Sequence, residues 1–188
     1  MRFFTIQSKE VLEILKKDGV YYPDFKKSVY LKKKPDIKPV YDMVLDSFNN
    51  LNKTNLDGVV FAFCYADYED GMIKPFKDIN NFLTFMKERK LAIMSLWNSL
   101  CDDNHCIIEI EMSDVDFVPV YIDINDFQFI MPPIMLLPPY TNDSIERIYG
   151  DIKSGRPNMS EFPSGIMQAH LAYIKASEVI NEYEMCSI

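Results

Sequence analysis

Glycine is scarce, at 6 in 188 residues. Loops that cradle phosphate on bare backbone need glycine, so a Gly-rich nucleotide loop has little material here. Histidines number 2, and no G-x-S-x-G stands in the chain. Choices for a general base are therefore few, and a nucleophile elbow is excluded. The longest strongly apolar run, Phe129 to Leu137, contains prolines. It is far too short to span a bilayer, so no membrane partner is expected. The opening MRFFTIQSKE has no apolar stretch of the signal-peptide kind. A basic surplus is also missing, since the net charge is −8. That argues against an unassisted nucleic-acid binder and leaves nucleic acid as a target only. The cysteines, 4 in all, then read as free thiols of a reduced, cytoplasmic protein.

What is present is a globular composition, 48% hydrophobic and 26% charged. Aromatics at 13% favour strand-rich packing. The length suits one domain, 1–188, large enough to need no staple. Six lysines, Lys26, Lys27, Lys32, Lys33, Lys34 and Lys38, gather within thirteen residues. Such a run is read first as a solvated loop and second as a patch for an anionic ligand or a partner.

Periodicity places the elements. Arg2 to Gln7 predicts a strand, and Ser8 offers an N-cap to a helix with Val11, Leu12, Ile14 and Leu15 on one stripe. Lys16 and Lys17 complement its last turn, and Gly19 closes it. Pro23 to Pro39 reads as a basic loop, and Val40 to Leu51 as a second amphipathic helix. Gly58 to Tyr65 is a buried strand, with a hairpin arm at Met72 to Pro75 after an Asp-Gly turn. Asp78 caps a third helix, whereas Leu91 to Leu100 is ambiguous between helix and strand. Cys106 to Met112 alternates as a half-buried strand. Val118 to Ile124 extends the sheet, and a helical turn fits Asp123 to Phe129. Pro132 to Pro139 excludes regular structure. Asp143 or Ser144 opens a short helix ending near Gly155, and Gly165 to Met185 predicts a strand, a turn and a second strand. The fold class is α+β: mostly antiparallel, aromatic-rich sheet with about four flanking helices.

Candidate chemistry is thin. Cys101, His105 and Cys106 form one lone pair-like cluster at a spacing unusual for zinc, so no metal site is expected. Asp114, Asp116, Asp123 and Asp126 lack the glycine and terminal glutamate of a calcium loop and read as a solvated loop. Cys64 or Cys186 with His170 is the one thiol–base pairing that geometry leaves open. Glu109 and Glu111 share one strand face, where carboxylates in different environments divide acid–base work or simply form a wet face.

Four segments resemble a bacterial family known only as domain-of-unknown-function family 3841. They are FFTIQSKEVLEILKKDGVYY, FAFCY, CIIEIEMSDVDFV with Asp126-Phe127, and MQAHLAYIKASEVI. They spread over nearly the whole chain, and the family implies no activity. A second likeness concerns the strand–helix unit with Thr5 and the close at Ile14 to Gly19. It is similar to the entrance of ADP-ribosyltransferase-like folds, whose DNA-modifying toxins carry a His-x-Thr strand there. Phe3 stands where the histidine would be, Thr5 matches, and the helix register is off by one. At the chain's end, His170 falls where those toxins carry a catalytic glutamate, with Gln168 two residues earlier.

The second resemblance implies an ADP-ribosyltransferase-like architecture with NAD, or a related nucleotide, as substrate. Thr5 and Gln7 would then contact the nicotinamide–ribose end. Tyr22 or Tyr65 would stack on a ring, Arg147 or Arg156 would pair with phosphate, and Gln168 and His170 would face the scissile bond. Transfer passes through an oxocarbenium-like state that wants a carboxylate. Neutral His170 offers no negative charge. Either Glu109, Glu111 or Glu178 takes over, giving a glycosyltransferase of the ADP-ribosyl type, or the fold is a non-catalytic module for a small nucleotide-like ligand or a protein partner.

Overall fold

A computed structural model describes residues 1–90, 92–113, 116–136 and 138–184. The chain opens with β1 (Arg2–Ser8), which runs straight into α1 (Lys9–Asp18). Val11 and Leu15 are buried as the stripe predicts, and Lys16 and Lys17 hold the last turn. Gly19 closes the helix at φ 76°, its N–H donating to Leu15 O at 3.0 Å. That left-handed position disfavours any residue with a Cβ. Ser8 occupies the N-cap but makes no side-chain cap bond. Lys9 N instead donates to Asn104 O at 3.1 Å, tying the helix entry to the neighbouring turn.

After β2 (Val20–Tyr21), the basic segment departs from the expected loop. It holds α2 (Val29–Lys33), a 3-10 turn at Pro35–Ile37 and the first turn of α3 (Lys38–Asn52). Ser28 Oγ caps α2 by accepting from Leu31 N at 3.2 Å. Pro39 lies in the first turn of α3, where a missing N–H costs nothing. Leu31 and Ile37 anchor the segment in the core while its lysines stay exposed. Charge density hid a local amphipathic pattern too short for a periodicity window.

β3 (Val60–Asp67) and β4 (Met72–Lys74) form the expected hairpin. α4 (Ile79–Glu88) starts on Asp78, which accepts from Asn81 N at 2.8 Å. The ambiguous stretch is helical, as α5 (Met94–Leu100), with Leu91 outside the described residues. Then come β5 (His105–Glu111), β6 (Val120–Asp123) and α6 (Ile124–Phe129). α7 (Asn142–Ser154) opens on Thr141, earlier than Asp143 or Ser144, because Thr141 and Ser144 form a reciprocal capping box. The chain continues as β7 (Ile166–Leu171), β8 (Ile174–Lys175) and β9 (Val179–Glu184).

The result is an α+β fold. Seven strands form one sheet in the order β6-β7-β3-β1-β5-β9, with β4 attached to β3. All its pairings are antiparallel. β2 and β8 make a separate antiparallel pair. The longer helices α1, α3, α4 and α7 match expectation, and α2, α5 and α6 are shorter additions. The last two long strands are not a hairpin: β7 pairs with β3 and β6, and β9 with β5. Burial explains the separation. Every residue of β7 is buried, so it needs neighbours on both sides, whereas β9 is largely exposed and suits an edge.

The core has two bodies. Phe4, Phe63 and Ile107 of the sheet pack on Phe82 and Met86 of α4 and Leu100 of α5, with Phe4 stacked on Phe82 at 4.9 Å. Val120, Ile122 and Leu171 belong to the larger body with Val44 and Phe48 of α3 and Ile148 and Ile152 of α7. Among the described residues, no helix is long and apolar enough to cross a membrane.

Candidate functional site

The end of β1, the start of α1 and the start of β3 meet at one corner of the sheet. β2, the segment after it and Tyr41 of α3 line the same space, a cavity of about 730 Å³. Small-molecule sites span roughly 300–1,000 Å³. Tyr21, Tyr22, Phe25, Tyr30, Tyr41 and Phe61 give it aromatic walls. Tyr41 lies 5.5 Å from Phe25 and 4.9 Å from Phe61 between ring centroids, so these rings brace one another. Gly58 permits the close packing of this corner. A Cβ there would stand 2.8 Å from Pro23 O, a backbone atom that cannot swing aside. Phe25 N also donates to Asp57 O at 2.9 Å, joining the wall to the approach of β3.

Gln7 is the amide of this cleft. Its Nε2 donates to Thr5 Oγ1 at 2.7 Å, and Thr5 Oγ1 donates onward to Phe61 O at 2.6 Å. Thr5 is fully buried, so it positions Gln7 and does not itself line the cleft. The charged lining is Glu10, Asp18, Asp24 and Lys27. Burial first, then the Glu10 and Asp24 carboxylates, push the Tyr21 phenol up. The basic cluster is partly neutralised: Lys27 lies 3.3 Å from Asp24, Lys26 2.6 Å from Asp57 and Lys38 2.5 Å from Asp42.

Of the other expected ligand contacts, Tyr22 lines the cleft and packs edge-on against Tyr173 at 5.7 Å. Tyr65 does not. It lies with Phe76 at 5.6 Å and Phe85 at 6.3 Å, in the core body under α4. Arg147 is occupied elsewhere, its Nη2 donating to Asp126 Oδ2 at 2.9 Å with Asp151 and Glu161 each 3.7 Å away. Arg156 pairs with Asp151 at 2.9 Å. Neither arginine faces the cleft.

Gln168 and His170 share one face of β7, opposite Phe63 and Phe61 of β3. Both are buried and neither lines the cleft. His170 Nδ1 lies 2.9 Å from Val120 O. A carbonyl only accepts, so Nδ1 carries the proton and Nε2 is a bare lone pair. Among the described residues, Nε2 and Gln168 Oε1 have no hydrogen-bond partner. Burial holds the imidazole down to about 4 against an ordinary 6.5, so His170 is neutral at physiological pH. The Phe61 ring, which lines the cleft, lies edge-on to it at 4.8 Å.

Glu109 is not on a wet face, being 3% exposed. Asn181 Nδ2 and the Tyr183 hydroxyl donate to its Oε2 at 2.9 and 2.6 Å, and Arg2 Nε lies 3.3 Å from Oε1. Desolvation, then the Glu109 carboxylate, push the Tyr183 phenol up to about 12. Glu111 is exposed and 3.9 Å from Arg2. Glu178 lies 3.9 Å from Lys175. All three glutamates are outside the cleft.

Of the acidic series, Asp116 is exposed, as a solvated loop would have it, whereas Asp123 and Asp126 are not; Asp114 lies outside the described residues. Asp116 accepts from the Tyr173 hydroxyl at 2.5 Å. Asp123 and Asp126 are fully buried. Asp123 caps α6 through Asn125 N at 2.8 Å and accepts from the Tyr68 hydroxyl at 2.5 Å and from Ser164 N. Burial nonetheless pushes its carboxyl above the usual range. Asp126 accepts from Ser160 Oγ at 2.5 Å, the Tyr140 hydroxyl at 3.1 Å and Arg147. These are ties between α6, α7 and the segments before and after α7. Among the described residues no group of three or more His, Cys, Asp or Glu could hold a metal ion, and Cys64, Cys101 and Cys106 are free. Cys186 lies outside the described residues.

The structure therefore joins Gln7, Tyr22 and the supporting Thr5, and leaves Tyr65, Arg147, Gln168, His170, Glu109 and Glu111 elsewhere. Glu10, Tyr21, Phe25, Tyr30, Tyr41 and Phe61 were missed. The available signal was the density of aromatic residues interleaved with the lysines between Tyr21 and Tyr41. Comparisons with family models, curated proteins and solved structures gave no match.

Proposed function

We propose that the protein binds a small planar, nucleotide-like ligand, with NAD as a candidate, in the cleft beside Gln7, and does so without ADP-ribosyl transfer through Gln168 and His170. The observation that carries this is the cleft itself, whose aromatic walls enclose an amide fixed by Thr5. Aromatic faces with a few placed polar groups are the usual recipe for gripping a flat heterocycle. The neutral, buried state of His170 favours binding over transfer, since a cationic transition state would find no negative charge there. One observation favours a catalytic alternative: Glu10 places a carboxylate in the same cleft.

The test is thermal unfolding with NAD and with ADP-ribose, followed by mass analysis of the nucleotide. Ligand at about a hundred times its Kd stabilises by roughly 2.7 kcal/mol. For a chain of this size that raises Tm by about 5–10 °C. NAD is expected to be recovered intact. No shift with either compound counts against the cleft as a nucleotide site. Consumption of NAD that disappears in Glu10→Gln selects the catalytic alternative.

A further inference from the structure

We infer that the ring this cleft takes is cationic: an N-alkylated heteroaromatic ring is preferred over its neutral counterpart. This deepens, and rests on, the ligand-binding reading above. Three carboxylates line the cavity, Glu10, Asp18 and Asp24, against one ammonium, Lys27. Lys27 lies 3.3 Å from Asp24, so that pair offsets itself. Glu10 and Asp18 have no ion-pair partner among the described residues, and the surplus in the cavity is negative. The walls act in the same direction. An aromatic face carries the negative end of a quadrupole and attracts a cation within about 6 Å of its centre. Tyr30 already does so on the rim, where Lys34 Nζ lies 5.4 Å from the ring centroid.

Burial first, and then the Glu10 and Asp24 carboxylates, oppose ionisation of the Tyr21 hydroxyl, in keeping with this negative surplus. Nearby cations do not reverse the balance. Lys26 is engaged with Asp57 at 2.6 Å, and Lys32, Lys33 and Lys34 are exposed residues that do not line the cavity. A neutral ring gains apolar burial and stacking here. A cationic ring of the same shape gains those plus attraction to both faces and carboxylates.

The experiment compares two near-isosteric probes, 1-methylnicotinamide, which is methylated on the ring nitrogen and cationic, and nicotinamide, which is neutral. Their dissociation constants for the full chain are read by ligand-observed NMR or calorimetry. The cation is expected to bind about tenfold more tightly, and the gap to shrink to about threefold or less in the Glu10→Gln/Asp18→Asn double variant. Both substituted side chains are exposed on α1, so the variant is expected to fold, as circular dichroism would verify. The reading is the ratio of the two dissociation constants within each protein, so a general change in affinity from substituting two cleft-lining residues cancels. Equal affinities for the two probes, or preference for the neutral one, would overturn the charge preference and leave the cleft reading standing. An undiminished gap in the double variant would overturn the role given to Glu10 and Asp18. Absence of binding by both probes would overturn the cleft reading and the inference with it.

Discussion

Asp126→Ala is expected to cost about 3 kcal/mol of stability, because it breaks a buried ion pair from one side. Asp126 has no exposed surface and accepts from Ser160, Tyr140 and Arg147. Alanine would leave the buried Ser160 hydroxyl without its acceptor and Arg147 without its shortest carboxylate contact. Removing one partner of a buried pair costs roughly 3–5 kcal/mol. The lower end applies because the Arg147 side chain is 25% exposed and keeps Asp151 and Glu161 nearby. In a chain of this size the loss lowers Tm by about 6–12 °C. Asp126→Asn keeps the shape and an acceptor but loses the charge, so it should fall between wild type and alanine. Urea unfolding of the three proteins checks the order. A loss below about 1 kcal/mol for alanine would show that these bonds are not coupled to folding.

His170 makes the second large effect a matter of pH. Its folded value is near 4 and its ordinary value is 6.5. Above pH 6.5 the ring is neutral in both folded and unfolded chains, and stability is unaffected. As the pH falls below 6.5 the unfolded chain takes up a proton that the buried ring refuses. Stability then declines by up to about 1.4 kcal/mol per pH unit until the folded ring also titrates, near pH 4. The total loss assigned to this group is roughly 3 kcal/mol. His170→Gln cannot titrate, so its unfolding free energy should fall less between pH 7 and pH 4, by that difference. Parallel curves for the two proteins would mean the imidazole is not held neutral by burial.

These two residues show what was legible in the sequence. The longer helices could be read because local pattern and burial agree, as with Val11 and Leu15 on one helix face. By contrast β5, whose alternation predicts a half-buried strand, buries both faces, Ile107 and Glu109 as well as Ile108 and Ile110. Gly19 could be read because a closing turn with positive φ favours glycine. Asp126 could not. A carboxylate in a polar stretch looks solvated until Arg147 and Ser160, twenty-one and thirty-four residues later, are brought to it. Gln168 and His170 were visible as unusual residues, but their separation from Gln7 depends on strand order, which no local pattern encodes. The cleft was half legible. Gln7 and Tyr22 stood out, whereas Tyr41 and Phe61 join them only when α3 and β3 meet at the corner of the sheet.

The most direct test of the cleft as the ligand site is amide shift mapping of the isotope-labelled full chain titrated with NAD. The largest shifts are predicted at Gln7, Val11, Tyr21, Phe25 and Phe61, with Glu109, Arg147 and Gln168 unmoved. Shifts centred on Gln168 and His170, or on Arg147, with the cleft silent, would contradict the account.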